Sequence, residues 1–142
     1  MQNLAAATDL NFRVQCTLDA DRSIAFPDRS ADLHVYRICQ EAITNAVKHG
    51  NAKKIKIELK RQESKILFQV RDDGTGAPLE ALANGSNGIG LRTMEFRTRR
   101  LGGRFSIESC PGTGTSITCT LPDHSASPQP ECDNPKQMLL TI

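Results

Sequence analysis

No stretch of the 142-residue sequence approaches the ~20 apolar residues of a membrane span, and no charged-then-apolar leader with a small-residue cleavage site opens it. The expectation is a soluble, untargeted, cytoplasmic chain with no membrane contact of its own. Neither sign of charge dominates. Eighteen basic residues stand against sixteen acidic ones, a net charge of +2, without the clustered basic face of a nucleic-acid binder. Direct nucleic-acid binding is therefore not expected. The five cysteines, Cys16, Cys39, Cys110, Cys119 and Cys132, are odd in number and include no C-x-x-C pair, which argues against a disulfide framework or a zinc site. Cys16, Cys39 and Cys119 sit among apolar neighbours and read as small buried hydrophobes in a reducing compartment. Glycine is missing from the first 49 residues and the last 28, so all ten glycines lie between Gly50 and Gly114. A stretch so enriched needs backbone without side chains.

What is present is enough for one domain of ordinary size, with 38% hydrophobic residues. Leu10, Phe12, Val14, Cys16 and Leu18 alternate with polar residues and predict a strand over 10–18. Ser30 is the expected cap of a long helix ending at Gly50. On that helix Val35, Tyr36, Cys39, Ala42, Ile43, Ala46 and Val47 share one arc, and Arg37, Glu41, Thr44, Asn45, Lys48 and His49 the other. Ile55, Ile57, Leu59 and then Ile66, Phe68, Val70 alternate on either side of a polar turn at 61–64, the pattern of an antiparallel hairpin. A glycine-rich loop from Arg71 to Pro78 follows, then a helix over roughly 90–101 and a second hairpin marked by Phe105, Ile107, Ile117, Cys119 and Leu121. The order predicts an α/β two-layer sandwich, a mixed, mostly antiparallel sheet with helices on one face. Residues 1–8 read as the end of a linker or connecting helix, 9–123 as the domain, and the Pro- and Ser-rich 124–142 as a disordered tail.

Two glycine clusters carry the chemical signal. Asp72-x-Gly74-x-Gly76 follows a strand, where missing side chains let backbone approach a ligand. Gly88-Ile89-Gly90 precedes a helix, whose free N–H groups and positive dipole end suit phosphate. Taken singly, the first is as readily a tight turn and the second a flexible loop. Neither the G-x-G-x-x-G spacing nor a G-K-[ST] element is present. Glu41 and Asn45 stand at i and i+4 and project side by side, with Lys48 and His49 one turn on. A solvated helix face has the same pattern, but asparagine is a poor helix former in mid-helix. Its amide oxygen suits a magnesium ion held mainly by phosphates and water.

In combination these motifs resemble a known family. Glu41 to His49 resembles the N box of sensor histidine kinases, Val70 to Gly76 their first glycine box, Gly88-Ile89-Gly90-Leu91 their second, and Gly112-Thr113-Gly114-Thr115 their closing glycine-threonine element. Order and spacing match over about residues 32–122. The wording Tyr36-Arg37-Ile38-Cys39-Gln40-Glu41-Ala42 and Leu101-Gly102-Gly103, with a short lid, is most similar to the nitrate-sensor-like subfamily. The resemblance implies the Bergerat-type ATP-binding fold with ATP and Mg2+ as cofactors. It implies that Asp72 accepts from the adenine amino group, that Gly74 and Gly76 let backbone pass the nucleotide, and that Thr115 supports the adenine end. It also implies that Asn45 binds magnesium with Glu41 shaping the metal and water shell, that Lys48 and His49 face the phosphates, that Gly88 and Gly90 hinge the lid and present N–H groups to the phosphates, and that Ile89 and Leu91 are among the nucleotide-binding residues.

The phosphoacceptor of these kinases is a histidine on a separate dimerising domain, usually followed by an acidic residue. Of the three histidines here, His34 precedes Val35, His49 belongs to the N box and His124 lies at the start of the expected tail. None resembles an acceptor. The expectation is therefore the catalytic domain alone, with a histidine-bearing dimerisation domain and a response regulator as partners. The alternatives are a stand-alone anti-sigma-type serine kinase, an ATP-hydrolysing switch with Glu41 as base, and an interaction module that no longer uses nucleotide.

Overall fold

The computed structural model describes residues 14–77 and 88–124. One five-stranded sheet runs in the order β1 (Gln15–Ala20), β2 (Lys54–Gln62), β3 (Lys65–Asp72), β5 (Gly114–Pro122), β4 (Arg104–Cys110). β1 lies parallel to β2 and every other pairing is antiparallel. A parallel neighbour needs a crossover, and helix α1 (Arg29–Lys48) supplies it. Helix α2 (Gly88–Arg100) packs beside α1 and against the same sheet. The expected two-layer α/β sandwich is the fold observed. The expected linker 1–8, the start of the expected first strand, and the expected tail beyond His124 lie outside the described residues.

Alternation in the strands sends one side of each into a single core. Register aligns the inward residues across the sheet, Ile57 opposite Val70, Phe68 opposite Cys119, and Val70 opposite Ile117. Phe68, Ile57 and Ile38 are fully buried, and each such side chain stabilises the fold by about 1.5–3 kcal/mol. On α1, Ile38 lies at the centre of the buried face and Tyr36 is exposed, which corrects the expected arc. Ile38 follows Val35 by three residues and precedes Ala42 by four, whereas Tyr36 points 100° past Val35 and out of the core.

Helix ends also differ from expectation. Asp28, in extended conformation, caps α1 by accepting from the Ala31 N–H at 2.8 Å, so Ser30 falls inside the first turn. At the other end His49 is the cap, and the His49 and Gly50 N–H groups both donate to the Asn45 carbonyl at 3.0 Å. The β2–β3 turn tightens to Glu63 and Ser64, because Arg61 and Gln62 still pair with Ile66 and Lys65. α2 starts at Gly88 instead of near residue 90, so Gly88 and Gly90 belong to its first turn. Burial pushes the Cys39 thiol up to about 12 and the Cys119 thiol up to about 11, so both are inert hydrophobes at neutral pH.

Candidate functional site

The C-terminal half of α1, the loop after β3 and the start of β5 meet at one end of the sheet. Their meeting depends on glycine at three contacts. A Cβ on Gly74 would come within 2.5 Å of the Gly50 carbonyl, one on Gly76 would strike the Cys110 carbonyl, and one on Gly114 would strike the Asp72 carbonyl. Backbone hydrogen bonds hold the same contacts. Thr75 N–H donates to Gly50 O at 2.7 Å, and Gly112 N–H donates to Thr75 O at 2.6 Å.

Asp72 lies at the end of β3, facing the helices. Its Oδ1 accepts from the backbone N–H of Gly74 at 2.8 Å and of Thr115 at 3.3 Å. Those bonds fix the carboxylate, and Oδ2 has no hydrogen-bond partner among the described residues. Burial raises its pKa above the ordinary carboxylate value, opposed by the two N–H donors and reinforced by the adjacent Asp73. Asp73 is the opposite case. It points outward and accepts from the N–H groups of Lys54 and Lys53 at 2.8 and 2.9 Å, which lower its pKa. It acts as a clasp between the glycine loop and the start of β2.

A cavity of about 70 Å3 lies between α1 and the sheet. Of the expected site residues, Asn45, His49, Asp72, Gly76, Leu91 and Thr115 line it. Ala42, Ala46, Ile107 and Ile117 form apolar walls that sequence reading assigned only to the core or sheet. Glu41, Lys48, Gly74 and Ile89 do not line it. Gly90 packs directly on the Glu41 carboxylate, Lys48 is exposed, and Ile89 projects into solvent. Ser109, which the sequence did not single out, borders Thr115 and lines a second, wider depression. Its hydroxyl accepts from the Ala77 N–H at 3.0 Å and lies 2.9 Å from the Thr115 hydroxyl.

A wider depression of about 510 Å3 opens on the opposite face of the sheet, between Thr17, Lys56, Arg71, Ser116 and Glu108. Asp72 and Thr115 border both. The smaller cavity is the better candidate, because it adds the Asn45 amide and the apolar walls Ala42, Ala46, Ile107 and Ile117. Its volume is that of about two waters at about 30 Å3 each.

Among the described residues no group of three or more His, Cys, Asp or Glu is placed to hold a metal. Of the cavity's lining, the Asn45 amide oxygen is the donor that could contribute to a magnesium ion held mainly by phosphate and water. Among the described residues no helix is long and apolar enough to cross a membrane.

Residues 31–125 match the family described as histidine kinase-, DNA gyrase B- and HSP90-like ATPase. The sensor protein VraS of Staphylococcus epidermidis is 37% identical over 89 residues, covering 63% of this chain and 25% of VraS. The sensor histidine kinase ComP of Bacillus subtilis is 38% identical over 97 residues, covering 68% of this chain and 13% of ComP. The chain thus spans a quarter or less of these relatives. Among solved structures, the histidine kinase domain of the blue-light activated histidine kinase of Erythrobacter litoralis superposes with a TM-score of 0.71 at 20% identity, over 86% of this chain and 58% of that one. The Acinetobacter baumannii histidine kinase AdeS gives a TM-score of 0.70 at 19% identity, over 87% of this chain and 62% of that one. These likenesses show the fold.

Proposed function

The chain belongs to the histidine kinase-, DNA gyrase B- and HSP90-like ATPase family, and from that premise we propose that it is the catalytic domain of a two-component sensor histidine kinase. It transfers the γ-phosphoryl group of Mg-ATP to a histidine on a separate dimerisation domain, from which a response regulator takes it. The observation that carries this reading is Asp72, a half-buried carboxylate with one oxygen satisfied by backbone and the other without a partner among the described residues, sharing a cavity with Asn45 and Thr115.

Each residue has a task in this reading. Asp72 Oδ2 accepts from the adenine amino group, and Thr115 borders the same edge of the base. Ala42, Ala46, Ile107 and Ile117 sandwich the ring and exclude water from it. Asn45 supplies an amide oxygen to magnesium, while Glu41, one turn before it, orients water around the ion. Magnesium, when bound, neutralises phosphate charge. Lys48 and His49 face the phosphates from the exposed end of α1, and Gly88, Ile89, Gly90 and Leu91 form the hinge of the lid. Catalysis then rests on positioning and charge neutralisation, since phosphoryl transfer asks little covalent help of the protein.

The histidine-bearing domain meets the outer face of the helical layer, where Leu33, Tyr36, Ile89 and Phe96 are exposed. Arg97 donates to His34 Nδ1 at 3.0 Å and ties the two helices of that face together. We assign the chain to the short-lid, nitrate-sensor-like subfamily on its Tyr36 to Ala42 and Leu101 to Gly103 wording, and to the cytoplasmic side of a parent kinase.

The test is to incubate the full chain and Mg-ATP with the dimerisation domain of its parent kinase and follow radiolabel. Acid-labile phosphate on histidine is the expected product. Phosphate on a serine of a protein antagonist would establish the serine kinase instead. Steady phosphate release by the chain alone, abolished by Glu41→Gln with ATP binding intact, would establish a hydrolytic switch.

A further inference from the structure

Helices α1 and α2 run antiparallel and meet at two polar contacts a heptad apart on each helix. His34 meets Arg97 at one, and Glu41 meets Gly90 at the other. Seven residues of helix span about 10.5 Å, and Ile38 and Met94, both fully buried, lie between the two contacts in sequence. The seam thus has a packed middle, with Glu41–Gly90 at its end near Asn45 and His34–Arg97 at its far end. At that far end Arg97 Nη1 lies 3.0 Å from His34 Nδ1. A guanidinium has donors and no acceptor, so the imidazole nitrogen is the acceptor and carries no proton. The bond exists only while His34 is neutral.

The surroundings of His34 favour that neutral form. It is half-buried, Arg97 and Arg100 approach it from α2, and His124, just beyond β5, lines with it a cavity of about 170 Å3. Asp28 at the α1 cap is the acidic group that faces it, and Asp28 Oδ1 already accepts from the Ala31 N–H at 2.8 Å. Burial and the two arginines outweigh Asp28 and hold the His34 pKa below its ordinary value. His34 therefore contributes stability above the ordinary value and loses it as pH falls toward the folded one. Protonation sets an N–H against the N–H of a guanidinium, two cations at hydrogen-bond distance, and the contact parts. Arg97 stands seven residues after Gly90 on α2, and Leu91, next to Gly90, lines the Asn45 cavity. One helix thus joins the histidine to the candidate site.

We propose that the His34–Arg97 contact is a pH-sensitive clasp, which holds α2 against α1 where Gly90 meets Glu41 and Leu91 lines the Asn45 cavity, and which protonation of His34 releases. Its effect on nucleotide rests on the reading of that cavity as an ATP site; the clasp itself does not. The experiment compares the full chain with His34→Asn, whose amide oxygen takes the place of Nδ1 and does not titrate, by urea unfolding and by ATP calorimetry across pH. Above the ordinary histidine value of about 6.5 the difference between the two proteins is expected to be constant. Below it the unfolding constant of the parent should rise relative to that of the variant, by up to about tenfold per pH unit, and its ATP affinity should fall relative to the variant's. The other two histidines are common to both proteins and cancel. Arg97→Gln, which removes the neighbouring charge, is expected to raise the His34 pKa read by NMR. Parallel unfolding curves, or a His34 pKa indifferent to Arg97→Gln, would overturn the clasp. A stability difference without an affinity difference would overturn its coupling to the site. Failure of the parent to bind ATP at any pH would overturn the ATP reading, while the unfolding curves still decide the clasp.

Discussion

Gly74 rests against Gly50, with Thr75 N–H donating to the Gly50 carbonyl at 2.7 Å and room for no Cβ between the two backbones. The end of α1 and the loop after β3 are thereby fixed to each other, which fixes Asn45 on α1 relative to Asp72, the last residue of β3. Gly74→Ala places a methyl group 2.5 Å from a backbone oxygen that cannot rotate away. Overpacking of this kind costs about 1–3 kcal/mol. The expected result is a lower denaturant midpoint together with weaker ATP binding. An unchanged midpoint would show that the loop yields freely.

Gly90 gives the contrasting case. The group its side chain would meet is the end of the Glu41 side chain, which can swing aside. Gly90→Ala is expected to leave the unfolding free energy within about 0.5 kcal/mol of the parent, the range of an ordinary surface substitution. It should slow phosphotransfer to the supplied dimerisation domain, because Glu41 is displaced. A large loss of stability would show that Glu41 is held in place.

Nucleotide affinity should depend on pH through Asp72. Burial raises its pKa in the free protein, and the adenine amino group requires the ionised form. Binding is therefore fully favoured above the raised value and lost as pH falls through it, starting at a higher pH than an ordinary carboxylate would give. The same shift has the opposite sign for folding. Asp72 contributes stability in acid and loses it as pH rises from the ordinary value toward the folded one, whereas the lowered Asp73 contributes stability above the ordinary value and loses it in acid. Affinity is best expressed as the ratio of parent to Asp72→Asn at each pH, which cancels titration of the nucleotide. The ratio should fall toward one in acid; a ratio independent of pH would remove Asp72 from the binding step.

Asn45→Ala removes the amide from the cavity while preserving, and by propensity improving, the helix. ATP binding to this variant should lose its dependence on magnesium, measured by titration with and without chelator. A magnesium effect as large as the parent's would place the ion elsewhere.

The period-two runs of β2 and β3 and the glycine boxes were readable in the sequence because each depends on nearby residues. Ile55, Ile57 and Leu59 need only a buried face. Positions decided by three-dimensional neighbours were not readable. Asp28 and Ser30 are both good caps, and only the Asp28 bond to Ala31 distinguishes them. Tyr36 and Ile38 are both apolar, and only the packing of α1 on the sheet shows which is buried. Ser109 reads as an ordinary residue of an alternating strand until the β4–β5 register places it beside Thr115. Ala42 and Ala46 were recognised as apolar, but not as bordering a cavity.

The most direct measurement is calorimetric titration of Mg-ATP into the unaltered chain and into Asp72→Asn. Loss of a hydrogen bond to a charged acceptor costs about 1.5–3 kcal/mol, a fall in affinity of tenfold or more. The prediction is that the unaltered chain binds ATP and that Asp72→Asn binds at least tenfold more weakly while keeping its thermal midpoint. Equal affinity in two equally folded proteins would contradict the assignment of Asp72 as the group that reads adenine.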